Sequence, residues 1–501
     1  MHSIGSERKM DGTSYTAFRH MVRRFQRGLV FLVLPVVGCS TATVFTSYTS
    51  KINPLIDGVK SHQFDHALEV LNKYRESNDK ILYLLERGRI AQIKNDIGTS
   101  MVDYEAAIEA VRYMEEKAII SASDVGAQTA SLLTNENAIP YKGDGYEKVF
   151  MYQFQALNYL AKKDIEGAGV EVRRANLEQN LALERHEKEL ENAEEKAKEK
   201  HLNIVQANDK LNTTYEAMDE VAGKVKNSFQ NAYTFYMSGI VYELLYELDN
   251  KLDTLNQAYI DYKKAIEIFP ENTYLQRDVI RLAKDLGMDQ DYDVYTSRFG
   301  KDLVKDGKST DNIKTGELVV FFENGLVPQK KEIRVPIPTP NGIIAIAFPI
   351  YDTKWSAAEP LSISESGNMY GNTEPICYVH ALAVKSLKEK VTAMVIRHLL
   401  RLAAKAALQN ESKDQLGTMG LLISSFYNIV SERADLRSWL TLPKDVQIMR
   451  IRLPAGVHRM NIVHKSSGAS SNIDISINQS KKTILRVTRI GSVFYTESNA
   501  F

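Results

Sequence analysis

Apolar residues recur with the period of an α-helix from about Ile52 to Gly287, and with the two-residue period of β-strands in much of the chain beyond residue 300. The strand-like segments include ELVVFFENGLVPQKKEIRVPIP, which contains the hairpin signal Asn324-Gly325, and later VQIMRIRLP, NIDISINQ and TILRVTRI. Between them, CYVHALAVKSLKEKVTAMVIRHLLRLAAKAALQ and LGTMGLLISSFYNIVSERA have helical patterns. This order predicts an α+β chain, with a helical domain over 39–300 and a mixed α/β domain over 301–501. The last part of the second domain, about eighty residues, has the look of a small β-sandwich.

Small and aromatic residues recur at fixed intervals in the helical part. In NAYTFYMSGIVYELLYELDNKLDTLNQAYIDYKKAIEIFPEN, small residues fall where paired helices touch, an aromatic residue fills the gap and a proline ends the second helix. These positions are Gly239, Tyr242, Ala258, Tyr262, Ala265 and Pro270. Weaker units contain Leu84, Gly88, Ala91, Ser100, Tyr104 and Ala107, then Ala156, Tyr159, Ala168, Val172 and Ala175. The spacings resemble tetratricopeptide (TPR) repeats; the alternative is a set of ordinary amphipathic helices with small residues at their contacts. Either arrangement stacks helical hairpins, which bind peptides or proteins more often than they carry out chemistry.

A long charged helix is predicted over 176–226. No Gly or Pro occurs between Val170 and Ala222, and twelve of the seventeen residues in Glu184–Lys200 are charged. Apolar residues recur every seven positions, at Leu183, Leu190, Ala197, Ile204, Leu211 and Met218, with Ala193, Ala207 and Val221 at companion positions. A continuous helix would extend about 75 Å. The pattern predicts a projecting coiled-coil arm that supports self-association; the alternatives are a solvated helix without a partner and a fold-back near 208–214.

The segment Arg23–Ser40, RRFQRGLVFLVLPVVGCS, has the pattern of a secretory signal peptide. Three arginines precede nine residues, Leu29–Val37, that are too few to span a bilayer, and a small residue comes before the cysteine. Val36-Val37-Gly38-Cys39 resembles the bacterial lipobox, which implies that 1–38 is removed and that Cys39 is acylated, as in palmitate-bearing lipoproteins. By the same resemblance, the residue after the cysteine, Ser40, implies the periplasmic face of the outer membrane; the periplasm and the inner membrane are the alternatives. Met1, Met10 and Met21 all remain candidate start sites.

Composition and incomplete motifs exclude several functions. The 63 Lys and Arg residues balance 63 Asp and Glu residues, without the concentrated basic face that a nucleic-acid partner requires. His62 and His66 are four apart but lack a third ligand, and Cys377-x-x-His380 lacks a second pair. The sequence contains no phosphate-binding loop, dinucleotide fingerprint or nucleophile elbow. We therefore expect no metal, no cofactor and no enzymatic activity.

One basic stripe is a candidate binding surface. Arg397, Arg401 and Lys405 recur every four residues on the predicted helix Lys385–Leu408. Such a stripe beside apolar faces suits contact with anionic lipid head groups or with an acidic partner helix. The alternative is that these cations are solvated or bonded to acids of the same domain.

Several phrases together resemble a largely uncharacterised family of Gram-negative bacterial lipoproteins with TPR-like repeats. They are FYMSGIVYE, AYIDYKKAIEIFP, VVFFENGLVPQKKEIRVPIP, AAKAALQ and DLRSWLTLPKDVQIMRIRLPAGVH, in this order. The resemblance implies an envelope location and a helical-plus-α/β architecture, and Cys39 is the one functional position that it carries over. We therefore expect a lipid-anchored periplasmic scaffold or adaptor that binds envelope proteins through its repeats. An enzyme or enzyme activator of peptidoglycan metabolism is the alternative.

Overall fold

The computed structural model describes residues 48–121, 139–199, 205–300, 314–339, 342–351, 354–401 and 433–501. In these ranges, helices make up the regular structure as far as residue 299, and the described strands come after that residue. The predicted α+β class with helical repeats is therefore confirmed. The helices are α1 Tyr48–Lys60, α2 Phe64–Asn72, α3 Lys80–Ile93, α4 Ile97–Ser121, α5 Gly145–Ala161, α6 Ile165–Glu199, α7 Val205–Glu216, α8 Asp219–Ala222, α9 Ala232–Asp249, α10 Leu252–Ile268, α11 Thr273–Asp285, α12 Asp289–Phe299, α13 Val379–Glu389 and α14, 391–401.

Small residues let paired helices approach closely, as the sequence predicts. A Cβ atom at Gly88 of α3 would lie 3.2 Å from the ring of Tyr104 in α4. Gly239 of α9 faces the ring of Tyr262 in α10 even more closely. Both rings are fully buried. A glycine on one helix thus makes room for an aromatic ring of its partner, and this contact sets the geometry of each hairpin.

The hairpins α3–α4, α5–α6 and α9–α10 lie side by side, because α4 packs on α5 and α6 packs on α9. The helix α11 then packs on α10, and α12 packs on α11. The first helix of each hairpin and α11 face the C-terminal part of the chain; for example, α9 contacts a strand near Cys377 and α11 contacts the strand that begins at Asp445. The repeats therefore form a layer with one side turned toward the sheet.

The described strands form three sheets. A five-stranded sheet has the order β11-β10-β1-β7-β6, a four-stranded sheet has the order β5-β4-β8-β9, and β2 pairs with β3. The strands are β1 Thr315–Asn324, β2 Lys331–Thr339, β3 Gly342–Ile350, β4 Ser362–Glu365, β5 Asn368–Asn372, β6 Glu374–Cys377, β7 Asp445–Pro454, β8 Gly456–His464, β9 Ala469–Ile477, β10 Lys482–Ile490 and β11 Val493–Ala500. β1 is central: it runs parallel to β10, with Glu317 opposite Lys482, and antiparallel to β7.

The predicted small β-sandwich in the last part of the chain is wrong as a separate unit. β7, β10 and β11 share a sheet with β1 and β6, whereas β8 and β9 share the other with β4 and β5. Each sheet is completed by strands that precede residue 378. The β7–β8 connection therefore passes from one sheet to the other, and both sheets contain strands from earlier in the sequence.

Helices and sheet share one hydrophobic core. Leu318, Val320 and Phe322 of β1 are fully buried, and the core continues into the first helices of the hairpins. The ring of Phe321 packs on Tyr233 of α9 at a centroid distance of 5.4 Å. The side of the helical layer that faces the sheet is thus covered by the protein itself.

The predicted projecting arm is wrong at Ala193, Ala197 and Leu211, whereas the seam residue Leu183 is 40% exposed. Ala193 and Ala197 of α6 pack on α14 in a small separate core, whereas Leu211 of α7 lies in the main core. The hydroxyl of Tyr215 donates a hydrogen bond to the Pro349 carbonyl at 2.5 Å, which ties α7 to the end of β3. These seam positions pack within the chain, since neighbouring elements of the same chain cover them. Within the described ranges, no helix has both the length and the apolar character that a bilayer crossing requires.

Candidate functional site

Residues 433–444 follow an irregular path that ends in a turn at 440–441 and bends at 442 and 444, and we call this segment the strap. Trp439 and Leu442 in the strap are completely buried. The Trp439 ring packs on Phe154 of α5 at a centroid distance of 5.6 Å and on Tyr104 of α4 at 6.0 Å. The Leu442 carbonyl accepts a hydrogen bond from the Val327 N–H at 3.0 Å, which joins the strap to the chain after β1.

Glu86 of α3 binds two consecutive backbone amides of the strap. One carboxylate oxygen accepts from the Leu440 N–H at 2.7 Å and the other from the Thr441 N–H at 3.1 Å. The hydroxyls of Thr441 and Tyr48 donate to the same carboxylate, each at 2.5 Å. Complete burial raises the pKa of Glu86 to about 7, although these four hydrogen bonds lower it.

A second buried carboxylate, Glu147 of α5, binds the amide of the strap residue just before Leu440. It accepts from the Trp439 N–H at 2.8 Å and from the Asp144 N–H at 2.8 Å, so it joins the strap to the N-terminus of α5. The Tyr141 hydroxyl also donates to Glu147. Burial and the nearby Asp144 carboxylate raise the pKa of Glu147 above its ordinary value.

Arg437 ties the strap to the beginning of α3. Its guanidinium pairs with Asp79, the residue before α3, and with Asp435 at 2.8 Å, and it donates to the Ile139 carbonyl at 2.9 Å. Only 3% of the Arg437 side chain is exposed. The helical layer therefore binds an irregular stretch of main chain through carboxylates and aromatic rings, and the segment that it binds belongs to the same chain.

Buried ion pairs join the first helices to the sheet. Arg89 of α3 pairs with Glu323 of β1, and neither side chain is more than 1% exposed. The Thr488 hydroxyl of β10 donates to the same carboxylate at 2.6 Å, and the Arg89 guanidinium lies 4.3 Å from the centroid of the Phe154 ring. Burial would raise the pKa of Glu323, but the positive charges of Arg89 and Arg486 hold it below its ordinary value.

A second ionic cluster surrounds Glu243 of α9. Glu243 accepts from Arg281 of α11 at 2.7 Å and from Arg450 of β7 at 2.8 Å, and Lys482 of β10 lies 3.3 Å away. Arg450 also pairs with Glu317 of β1 at 2.6 Å. Burial raises the pKa of Glu243, but Arg281 and Arg450 lower it well below its ordinary value. Such pairs fix the position of the sheet on the helices, because separating them would leave buried charges unpaired.

An open cleft of about 500 Å³ lies where α4, α5 and α6 meet α13, α14 and the strap. We call it the junction cleft. Eight Lys or Arg residues and five Asp or Glu residues line it. The acids are Glu115, Asp144, Glu189, Glu389 and Asp435, and the cations include Lys142, Lys330, Lys390 and Arg397.

The structure places the predicted site residues in different surroundings. Arg397 lines the junction cleft, is 36% exposed and pairs with Glu189 of α6 at 2.6 Å. Arg401 also lines the cleft but is only 3% exposed, and it lies beside His398. The prediction of one exposed basic stripe is therefore wrong for Arg401, because α14 turns this side chain inward. Lys405 and Cys39 lie outside the described residues.

The weak metal motifs lie apart from this site. His62 and His66 are exposed, whereas Cys377 and His380 are buried. Burial raises the pKa of the Cys377 thiol far above its ordinary value, which suppresses the thiolate. In the part of the chain that the structure covers, no three His, Cys, Asp or Glu side chains are placed to hold a metal ion.

Sequence reasoning missed Glu86, Glu147 and Arg437. A signal was present for the first, since Glu86 stands in LLERGRIAQI among residues that a repeat helix must bury. A charged side chain at such a position needs an internal partner. The partner itself, DLRSWLTLP, has no helical or strand periodicity that would identify it as a bound segment.

No protein-family model matches the chain, and no curated protein matches it. Among solved structures, the TPR2AB domain–pHSP90 complex of yeast Sti1 aligns at 15% identity, over 50% of this chain and 91% of that chain, with a TM-score of 0.19. A TM-score this low carries no inference about function. The description of this fold as helical repeats on a mixed sheet rests on its own helices and strands.

Proposed function

We propose that this protein is a non-enzymatic scaffold that holds partner proteins at the periplasmic face of the outer membrane, tethered by an acylated Cys39. The observation that carries the scaffold function is the binding of the strap by Glu86 and Glu147. A layer of helical hairpins that binds a stretch of main chain through buried side chains resembles the way in which repeat proteins hold their partners. Here that side of the layer is filled internally, so an external partner needs another surface.

The junction cleft is the surface that we assign to the partner. It is open, its walls come from both the repeats and the C-terminal part, and both charged and apolar side chains line it. Its rim includes the exposed Lys142, just before α5, and the half-buried Arg397 of α14. A protein bound there would contact both parts of the chain at once, which suits a scaffold whose shape depends on their packing.

The envelope location rests on the sequence. The pattern in Arg23–Ser40 and the resemblance of Val36-Val37-Gly38-Cys39 to a lipobox favour export and acylation. Three acyl chains, the usual number on such lipoproteins, would hold the protein at a membrane essentially permanently, since each buried methylene contributes about 0.8 kcal/mol. Envelope proteins are therefore the partners that we expect.

Site-specific photo-crosslinking in intact envelopes tests the scaffold function. A photoreactive residue at Lys142 is compared with the same residue at Lys73, an exposed position after α2 and away from the cleft. We expect a defined protein adduct from position 142 and none from position 73. Deletion of 301–501 would be a poorer test, because the helices and the sheet share one core.

Two results would contradict the proposal. Absence of any specific adduct from surface positions across the protein would argue against a scaffold. Turnover of peptidoglycan glycan or peptide by the purified full chain, with a saturable rate, would instead identify an enzyme of cell-wall metabolism.

A further inference from the structure

The imidazole ring of His458, near the start of β8, is bound through both of its nitrogens. Nδ1 lies 2.9 Å from a carboxylate oxygen of Glu365, the last residue of β4, and Nε2 lies 2.8 Å from the Pro454 carbonyl oxygen at the end of β7. Only 8% of His458 is exposed. Since β4 and β7 belong to different sheets, this one ring joins the two sheets where the chain passes between them.

Neither partner of the ring has a proton to donate. Glu365 already accepts hydrogen bonds from the Arg459 N–H at 2.9 Å and from the Tyr370 hydroxyl. The Tyr370 and His458 side chains hold the pKa of Glu365 below its ordinary value, so it is a carboxylate at neutral pH. The Pro454 carbonyl oxygen also only accepts, whereas a neutral imidazole carries a single N–H. Both bonds therefore form together only when His458 is an imidazolium cation with two N–H groups.

The charged side chains of β8 and β9 lie on the opposite face of their sheet. Arg459 and Asp474 are exposed and stand opposite each other on these two strands. Because successive side chains of a strand alternate between faces, Arg459 is directed away from the face that carries His458. The residue of β9 opposite His458 is the apolar Ile475. Glu365 therefore provides the charge that His458 faces within this sheet.

The position of the ring raises its affinity for a proton. Burial lowers the pKa of His458, but the hydrogen bonds to Glu365 and to the Pro454 carbonyl raise it above its ordinary value of 6.5. The charged residues beside the β7–β8 connection, Lys314 and Arg452, have exposed side chains. The two hydrogen bonds thus favour the cation more strongly than burial opposes it.

The turn between β4 and β5, residues 365–368, is held to β8 by these bonds, and we call it the hairpin tip. The backbone pairing of β4 with β8 ends at Ser364, and beyond it Glu365 reaches β8 through His458 and the Arg459 N–H. β5 is the edge strand of this sheet. When His458 loses a proton, one ring nitrogen presents a lone pair to an oxygen, and the bond at that nitrogen is lost.

We propose that His458 is a pH-sensitive latch, which in its protonated form ties the hairpin tip to the end of β7 and in its neutral form loosens it. The contribution of the latch to stability is complete below about pH 6.5 and is lost as the pH rises through the folded-state pKa, because that pKa is raised in the fold. The change falls in the range where histidine acts as a switch. This inference is independent of the proposed scaffold function.

Hydrogen–deuterium exchange of the full-length protein, followed by mass spectrometry, tests the latch. Peptides that cover residues 362–372 are compared at about pH 6 and about pH 8.5, with labelling times scaled to the intrinsic exchange rate. We expect these residues to lose protection at the higher pH. In His458→Gln their protection should be lower at pH 6 than in the wild type and should no longer depend on pH. The control His66→Gln removes an exposed histidine of α2 and should keep the pH dependence of the wild type.

NMR titration of the histidine side chains in the isotope-labelled full-length protein measures the proton directly. The signal of His458 is the one that His458→Gln lacks, and its midpoint should lie above 6.5. Glu365→Gln should move that midpoint down, because an amide carries no charge. A midpoint at or below 6.5, protection of 362–372 that does not change with pH, or a pH dependence that survives in His458→Gln overturns the inference. If circular dichroism shows His458→Gln to be unfolded, the signal that moves in Glu365→Gln supplies the assignment, and no movement overturns the inference as well.

Discussion

The buried pair of Arg89 and Glu323 can be tested by replacing Arg89 with methionine, which keeps much of the side-chain length but removes the charge. The substitution leaves the Glu323 carboxylate buried with the Thr488 hydroxyl at 2.6 Å as its remaining hydrogen-bond donor. Breaking a buried pair in this way typically costs about 3–5 kcal/mol. The contact of the guanidinium with the Phe154 ring, worth about 0.5–2 kcal/mol, is lost as well. We therefore expect Arg89→Met to lower the free energy of unfolding by about 4 kcal/mol.

A double variant separates two contributions to the loss of stability: the unpaired charge of Glu323 and the altered packing at position 89. Arg89→Met/Glu323→Gln removes both charges of the pair, Arg486 keeps its own partner Glu497, and the new amide oxygen can still accept from Thr488. We expect the second substitution to recover about 2 kcal/mol of the loss. Arg452→Met is the matched control, since Arg452 is 61% exposed and pairs with Glu317 at 3.5 Å. A surface pair of this kind contributes at most about 1 kcal/mol.

Urea denaturation followed by tryptophan fluorescence measures these differences. Trp355 and Trp439 are the two tryptophans of the chain, and Trp439 is buried where the strap meets α4 and α5. Its emission should change when the helices and the strap separate. If Arg89→Met unfolds at the same urea concentration as Arg452→Met, or if the double variant is no more stable than Arg89→Met, the buried pair does not hold the sheet to the helices.

The pH dependence gives an independent check on the same pair. In the wild type the pKa of Glu323 is held below its ordinary value of 4.5, so its contribution to stability is present above pH 4.5 and is lost as the pH falls through the folded-state pKa. Without Arg89, burial dominates and the pKa of Glu323 rises, so its contribution is present at low pH and is lost as the pH rises. The deficit of Arg89→Met should therefore shrink between about pH 7 and about pH 4.

Three further predictions concern other parts of the chain. Because the pKa of Glu86 is about 7 in the fold against 4.5 for the ordinary group, its contribution to stability is complete below pH 4.5 and falls by about 3 kcal/mol as the pH rises to 7. Urea titrations from pH 4.5 to 8 should show this decline in the wild type, and Glu86→Gln should flatten it. Gly239→Ala places a methyl group against the Tyr262 ring and should lower the thermal midpoint, at a cost of about 1–3 kcal/mol. The control is Gly58→Ala in α1, where the added Cβ has no neighbouring atom closer than 3.7 Å. Calorimetry should show an unchanged or slightly higher thermal midpoint for this variant. Cys39→Ala should move the protein from the membrane pellet to the soluble fraction, and retention in the pellet would contradict lipid anchoring.

The helical repeats could be recognised in the sequence because their defining contacts are local. Gly239 and Tyr262 lie on adjacent helices of one hairpin, and Gly88 and Tyr104 are even closer along the chain. Residues this close keep a nearly constant spacing when the hairpin forms. The change from helical to strand period after residue 300 was visible for the same reason.

The arrangement of the sheet and the strap depends on contacts between distant residues. Thr488 and Glu323, which touch across β10 and β1, are 165 positions apart, and Leu440 and Glu86 are 354 apart. No periodicity within β1 or β10 indicates that they pair in parallel. The strap is harder still to predict, because an irregular segment bound by side chains has no repeating pattern of its own.

The candidate site was predictable in part. The four-residue spacing of Arg397 and Arg401 correctly places both on one helix, α14, but the predicted helix Lys385–Leu408 is interrupted at Lys390, where α13 ends. Which side of α14 faces outward depends on the packing of α6, where Ala193 and Ala197 cover Ile396 and Leu400. That choice turns Arg401 inward, and spacing along one helix cannot reveal it. The predicted boundaries 1–38 and 39–300 and the lipid anchor stay predictions.

β10 is an interior strand of its sheet, between β11 and β1, and this position determines when the protein can finish folding. β1 is made before β10 by well over a hundred residues, yet it needs both β7 and β10 as neighbours. Until the stretch Lys482–Ile490 has been synthesised, one edge of β1 remains unpaired, and unpaired edges invite wrong association. A chain that stops before Lys482 would therefore lack an interior strand, the one that pairs with both β1 and β11. Such truncated chains should behave as folding failures that proteases and chaperones clear.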